Sequence, residues 1–329
     1  MDFWASLLSA RPSLRPYPGW MLGCAMEGGD WLSKLRRRTW VRARRPFAIP
    51  WLEGLCVWVG SNDELLKSLF LTGLFEPNEF LLLDRLLRPD MSFVDVGANL
   101  GLYTLFAARK VGEKGAVLAL EPSGREFQKL RANVELNRLL QVRLLQVAVS
   151  DRAREAELLI ADEEHAGHNT IGAFSLGTRL ERKEIVRLES LDEILGREKL
   201  RGVDILKMDV EGGELFALQG MIRTLETFHP LLLLEMSDPA AISQNSSSAE
   251  VWNFLAGLGY RFYAFDESTG LPVPAIRKLA YAGENLIAVH PAREELWTNH
   301  GDIRSRQAAN AASANADIVS MPASGRSSS

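Results

Sequence analysis

Between residues 92 and 290 the chain alternates short, nearly continuous apolar runs with longer stretches in which apolar positions recur every three or four residues. The short runs are SFVDVG (92–97), AVLALEP (116–122), VRLLQVAVS (142–150), VDILKMDV (203–210), PLLLLEM (230–236), YRFYAF (260–265) and NLIAVH (285–290). Runs this short and this apolar predict strands buried on both faces. The stretches between them predict amphipathic helices. Leu102, Leu105 and Phe106 share one face, Phe127, Leu130 and Val134 a second, and Leu215, Leu218, Ile222 and Leu225 a third. A fourth face carries Val251, Phe254, Leu255 and Leu258 and is closed by Gly259. Ser123 and Glu126 make a Ser-x-x-Glu capping box ahead of the second helix. Strand and helix alternating in this way predict an α/β fold, a doubly wound, mostly parallel sheet covered on both sides.

The two ends break the pattern. Five of the eight tryptophans fall in the first 55 residues, together with KLRRRTWVRARR (34–45), seven basic residues in twelve. A run of this kind reads first as a solvated helix face; peripheral contact with an anionic membrane surface through 34–45 is the alternative. From about residue 300 the chain is small and polar, with almost nothing to bury, and reads as a disordered tail. The expected division is therefore a basic, Trp-rich, helical or irregular extension (1–69), a catalytic-type α/β domain (70–295) and a tail (296–329). A net charge of −4 argues against bulk nucleic-acid binding, which needs a basic surface. Cys24 and Cys56 form neither a disulfide framework nor a zinc-type cluster, so a reducing cytoplasm is the expected setting. The N-terminus has no apolar core of signal-peptide length, and no run approaches the roughly 18 apolar residues of a membrane span.

In an open α/β sheet, ligands bind beyond the carboxyl ends of the strands, beside the first one. The first strand here runs into Gly97-Ala-Asn-Leu-Gly101. Gly97 and Gly101 let the backbone turn and approach a ligand, and the N-H groups opening the next helix point at the bend. The spacing is G-x-N-x-G, not the G-x-G-x-x-G of a dinucleotide site. Asn99 adds a polar side chain, and Asp95 would repel a pyrophosphate but suits a cationic amino-acid group. That combination favours S-adenosylmethionine. Glu121, ending the second strand, is placed to accept both ribose hydroxyls, the alternative being a cap on the next helix, which Ser123 already supplies. Adenine would then lie near Gln146, Val147 and Ala148. Asp209 and Glu211 end the fourth strand, where Asp209 could take a substrate proton, position the methyl donor, or bind a divalent metal with Glu211 and Glu235; an acid pair there also stabilises the following helix. The segment 152–202 is longer than a crossover needs and reads as a lid or substrate insertion. Within it His168, followed by Asn169 and Thr170, is the first candidate for proton acceptor, Asp209 the second. A loop histidine is more often a surface residue.

At these positions the chain resembles the FkbM family of S-adenosylmethionine-dependent methyltransferases. The resemblance rests on FVDVGANLGLYTL, LEP (120–122), NVELN (133–137), VAVSD (147–151) and LKMDVEGGELFALQG, and it covers about residues 70 to 290. It implies a class I methyltransferase (Rossmann-like) sheet of seven strands with the last antiparallel. It also implies O-methylation of a hydroxyl on a sugar, polyketide or other small metabolite, glycans and glycolipids included. Carried over, Gly97, Asn99 and Gly101 would form the cofactor loop, Glu121 would hold the ribose, and Asp209 with Glu211 would line the reaction side. Two alternatives stay open. One is a non-catalytic cofactor- or nucleotide-binding regulatory module; the other is an NAD-dependent oxidoreductase, weakened by the missing glycine spacing.

Overall fold

The computed structural model describes residues 31–298 apart from 44, 61–62 and 175–176. The polar end from residue 300, Trp4, Trp20 and Cys24 lie outside the described residues. The described residues open with helix α1 (Trp31–Arg42), a hairpin of β1 (Phe47–Pro50) and β2 (Cys56–Val59), and helices α2 (Glu64–Thr72) and α3 (Pro77–Leu86). Then β3 (Ser92–Val96), α4 (Leu102–Val111), β4 (Ala116–Leu120), α5 (Gly124–Leu136) and β5 (Val142–Leu145) follow the predicted alternation. After β6 (Ala148–Val149), β7 (Arg154–Ala161), β8 (Leu180–Glu189) and α6 (Leu191–Glu198) the chain returns to the centre as β9 (Ile205–Met208). It continues through α7 (Glu214–Gln219), α8 (Ile222–Phe228), β10 (Leu231–Ser237), α9 (Asp238–Ser243), α10 (Ser248–Gly257), β11 (Arg261–Phe265), β12 (Pro272–Pro274) and β13 (Ala282–Val289).

Among the described residues the large sheet has eight strands in the order β12-β11-β13-β10-β9-β3-β4-β5. Strands β10, β9, β3, β4 and β5 are parallel, and β13 lies antiparallel between β10 and β11. This is the class I methyltransferase sheet, with the last strand antiparallel as expected and β12 added at one edge. Period-two alternation splits the strands between two cores. Phe93, Val117, Ile205 and Leu233 pack on the side of α4 and the N-terminal elements, while Val94, Leu118, Leu206 and Leu234 pack on the side of α6 to α8 and α10. Both faces are covered, which is why the strands read as unbroken apolar runs. The chain order reverses between β3 and β9, so a crevice opens above their carboxyl ends.

Three expectations need correction. The run 142–150 is two strands, because the chain leaves the large sheet after Leu145 and Ala148–Val149 joins a separate three-stranded sheet in the order β6-β8-β7. The helix expected over 215–225 breaks at Gly220. A Cβ there would stand 1.9 Å from the Ser150 carbonyl oxygen, and the Gly220 carbonyl accepts from Asp192 N at 3.1 Å. The described part of the helical or irregular extension, from Trp31, holds a paired hairpin as well as helix, and α2 runs through residue 70, where the sequence places a domain boundary.

Candidate functional site

The loop after β3 is shaped by its neighbours. Gly97 has φ +77°, and a Cβ on it would stand 1.8 Å from the Asp209 carbonyl oxygen. Asp209 N in turn donates to Val96 O at 3.0 Å, so the ends of β3 and β9 are laced together. Gly97 N and Ala98 N both donate to Leu120 O, which ties the loop to β4 as well. Gly101 caps α4 with φ +95°, and its missing Cβ makes room for Leu130 of α5, 2.5 Å away. This glycine serves helix packing and is absent from the cavity wall.

A cavity of about 360 Å³ lies above the switch point. Gly97, Asn99, Glu121, Ala148, Asp209 and Glu211 line it, six of the eight residues expected to hold a cofactor. Glu121 is held by two backbone donors: Asn99 N reaches Oε2 and Ser123 N reaches Oε1, each at 2.8 Å. Ser123 therefore caps α5 with its side chain while its own N-H is taken by Glu121. Glu126, the fourth residue of the capping box, accepts from Ser123 Oγ at 2.7 Å. A carboxylate has about four acceptor sites, so Glu121 keeps capacity for a ligand. Burial pushes its carboxyl up to about 8 against the pull of those two N-H groups. Asn99 sits at φ +50°, and its Oδ1 is buried without a hydrogen-bond partner.

Asp95 is not at the cavity lip. It is 0% exposed beneath the loop, where its Oδ2 accepts from Thr104 Oγ1 of α4 at 2.5 Å. Burial raises its pKa, with Lys207 pulling the other way. On the pleat its side chain belongs under the turn, so it buttresses the loop from below.

On the opposite wall, ligand oxygens of Asp209, Glu211 and Glu235 lie within 4.8 Å of one another, a cluster that one divalent cation could span. Crowding and burial show in the protonation of the two glutamates. Glu235 is pushed up to about 10, first by the charge of Asp209 and then by burial, and Glu211 to about 8, first by burial. Glu211 holds φ +50°, a left-handed conformation that costs free energy in a non-glycine residue. Its carbonyl accepts from Thr170 Oγ1 at 2.9 Å and from Gln244 Nε2 at 3.0 Å.

Segment 152–202 holds the antiparallel β7–β8 pair and α6, and part of the stretch between β7 and β8 lines the cavity. Ala166, Gly167 and Asn169 line the cavity, with Asn169 Nδ2 on Glu126 Oε2 at 3.1 Å. His168 is exposed, bonds Thr178 Oγ1 through Nδ1 at 3.1 Å, and is not part of the wall. Burial, then the neighbouring His165, lowers its pKa.

Sequence reasoning missed Lys207, which donates from Nζ to Gly97 O at 3.2 Å and approaches Asp209 Oδ2 at 3.3 Å. A lysine inside the apolar run ILKM was the available signal, since a buried ammonium needs partners. Glu76 was also missed. It sits at φ +39° and accepts from Tyr103 Oη at 2.5 Å and Asn285 Nδ2 at 2.9 Å, and nothing near it in sequence marks it.

A family model described as methyltransferase FkbM domain matches residues 95–262, about half the chain. Over 150 residues the chain is 30% identical to Methyltransferase 1 of Beauveria bassiana, covering 40% of this chain and 59% of that protein. It is 30% identical over 154 residues to Methyltransferase sdnD of Sordaria araneosa, covering 39% and 59%. The chain thus spans a little under three fifths of the length of these two curated relatives. The crystal structure of a methyltransferase FkbM from Methylobacillus flagellatus aligns at 14% identity and a TM-score of 0.38, over 68% of this chain and 52% of that one, too loosely to place side chains.

Proposed function

The chain belongs to the FkbM methyltransferase family, and from that premise we propose that its cavity takes S-adenosylmethionine and that it methylates a hydroxyl of a small polyhydroxylated acceptor, such as a sugar or polyketide. The observation that carries the reading is Asn99 Oδ1, an orphaned buried acceptor on the cavity wall. A buried polar atom without a partner is costly, and the ammonium of an amino-acid ligand would satisfy it. Glu121, fixed by two backbone donors, would hold a ribose with its remaining lone pairs. When bound, this cofactor supplies an electrophilic methyl group on a sulfonium.

The residues of this chain would do the rest. Lacing of Gly97 to Asp209 fixes the spacing between the cofactor loop and the acceptor side, which is the orientation term of catalysis. Asp209, its side chain 37% exposed, is assigned to orient the acceptor hydroxyl and receive its proton. His168, outside the wall, is left as a rim residue. The stretch between β7 and β8, tied through Asn169 and Thr170, would exclude water.

Calorimetric titration with S-adenosylmethionine and, in parallel, NADH tests the assignment. Micromolar binding of the methyl donor, lost in Asn99→Leu and weakened at least about tenfold in Glu121→Ala, is expected. Binding of NADH alone, or of neither, would overturn it and favour the non-catalytic module.

A further inference from the structure

Among the described residues Lys207 is the one lysine or arginine in the buried class. It sits in the middle of the sheet on β9, directly beside Asp95 of β3 in the strand register. Its flanking residues, Leu206 and Met208, are both 0% exposed and apolar. Burying an ammonium at such a position costs free energy that an apolar side chain of similar volume would not. The cost is offset by specific partners. Nζ donates to Gly97 O at 3.2 Å, lies 3.3 Å from Asp209 Oδ2, and stands 5.2 Å from the centroid of the Tyr103 ring. Those contacts occupy all the directions an ammonium offers, with the ring face as the third partner.

The surroundings make this charge matter. Carboxyl groups act on it from several of the elements packed nearby: Glu76 at the start of α3, Asp95 from β3, Glu121 from the end of β4, and Asp209 and Glu211 from the end of β9. Tyr103 from α4 completes the set and is itself bonded to Glu76. Burial works to lower the pKa of Lys207, and Asp209, Asp95 and Glu76 together outweigh it and raise it.

We propose that Lys207 is the positioning residue of the methyl-transfer site: its ammonium ties the Gly97 carbonyl to the Asp209 carboxylate, holding cofactor loop and acceptor-side acid at fixed spacing. The inference rests on the function proposed above in one respect, the role given to Asp209. Lys207 touches no reacting atom; it acts through two groups that do.

The test compares Lys207→Met, Lys207→Arg, Asp209→Asn and the double variant Lys207→Met/Asp209→Asn. Each is followed by thermal unfolding and by calorimetry with S-adenosylmethionine. Affinity in Lys207→Met should fall at least about tenfold, as for loss of a charge-assisted hydrogen bond, and Lys207→Arg, which keeps the charge and its donors, should recover most of it. In the double variant the losses of melting temperature and affinity should not add, because both single variants break the same contact. A Lys207→Arg chain as impaired as Lys207→Met, with losses that add in the double variant, would make Lys207 a packing residue and overturn the proposal. Should the wild type bind no S-adenosylmethionine while the melting pattern holds, the ionic tie stands and its assignment to methyl transfer falls.

Discussion

Gly97 and Gly101 look equivalent as letters, since both punctuate one loop and both adopt left-handed φ. Their neighbours make them different. At Gly97 an added Cβ meets the backbone of Asp209, which cannot move without pulling apart the ends of β3 and β9. At Gly101 it meets Cδ1 of Leu130, the far end of a flexible side chain. Gly97→Ala is expected to cost at least about 2 kcal/mol, from backbone strain and overpacking together, and to abolish S-adenosylmethionine binding. Gly101→Ala should cost about 1 kcal/mol through its φ, and trimming Leu130 in the same chain should not add the full cavity penalty, because the new methyl fills part of the space. Chemical denaturation of the two single variants and the double checks this. Equal costs at Gly97 and Gly101 would mean that ligand approach, and not the neighbouring backbone, demands both glycines.

At the scale of elements, the motif NVELN shows what a sequence can and cannot convey. Two asparagines one helical turn apart on α5 read as a polar stripe. In the fold they zip the helix to strand β2. Asn133 Oδ1 accepts from Trp58 N at 2.8 Å, and Asn137 accepts from Cys56 N at 2.8 Å while donating to Cys56 O at 2.7 Å. Asn133 Nδ2 also donates to Leu100 O in the Gly97–Gly101 loop at 2.9 Å. One fully buried amide thus joins hairpin, helix and loop, and it satisfies backbone groups of a two-stranded sheet that has no third strand. Asn133→Leu leaves the part-buried Trp58 N-H and the buried Leu100 carbonyl without this partner. A loss of about 2–4 kcal/mol is expected, with affinity for S-adenosylmethionine reduced because Leu100 is released. Hydrogen exchange at the Trp58 amide would report the broken zipper; protection there equal to the wild type would refute it. The strands of the large sheet were legible because burial on both faces leaves unbroken apolar runs. The departure after Leu145 was not, since Val147 to Val149 stay apolar while changing sheets. Glu121 and Asp209 were readable as strand-ending acids, whereas Asp95 was misplaced because the pleat, not the sequence, decides which side of the turn its carboxylate occupies.

For the molecule as a whole, the described part of the N-terminal extension, from Trp31, belongs to the α/β domain's own packing. Composition suggested an appendage, because tryptophans and arginines cluster there without strand or helix periodicity. Trp40, Phe47, Ile49 and Trp51 instead belong to the same apolar cluster as Phe80, Phe93 and Phe106. Trp51 meets Phe80 edge-on at 5.1 Å, Phe80 stacks on Tyr103 at 4.7 Å, and Tyr103 bonds Glu76 beside Lys207. An aromatic chain therefore runs from the extension to the acid wall of the cavity. Exposed basic residues of α1, such as Lys34, Arg38 and Arg42, stay on the outer face, so the helix is amphipathic in space even though its sequence reads as a charge run. Trp51→Ala removes a side chain 5% exposed from the start of that chain. A loss of about 3–5 kcal/mol is expected, a fall in melting temperature of about 8–15 °C, along with weaker S-adenosylmethionine binding as Tyr103 and Glu76 loosen. A melting temperature within a few degrees of the wild type would show that the extension is a separable attachment, and that the fold closes its core without it.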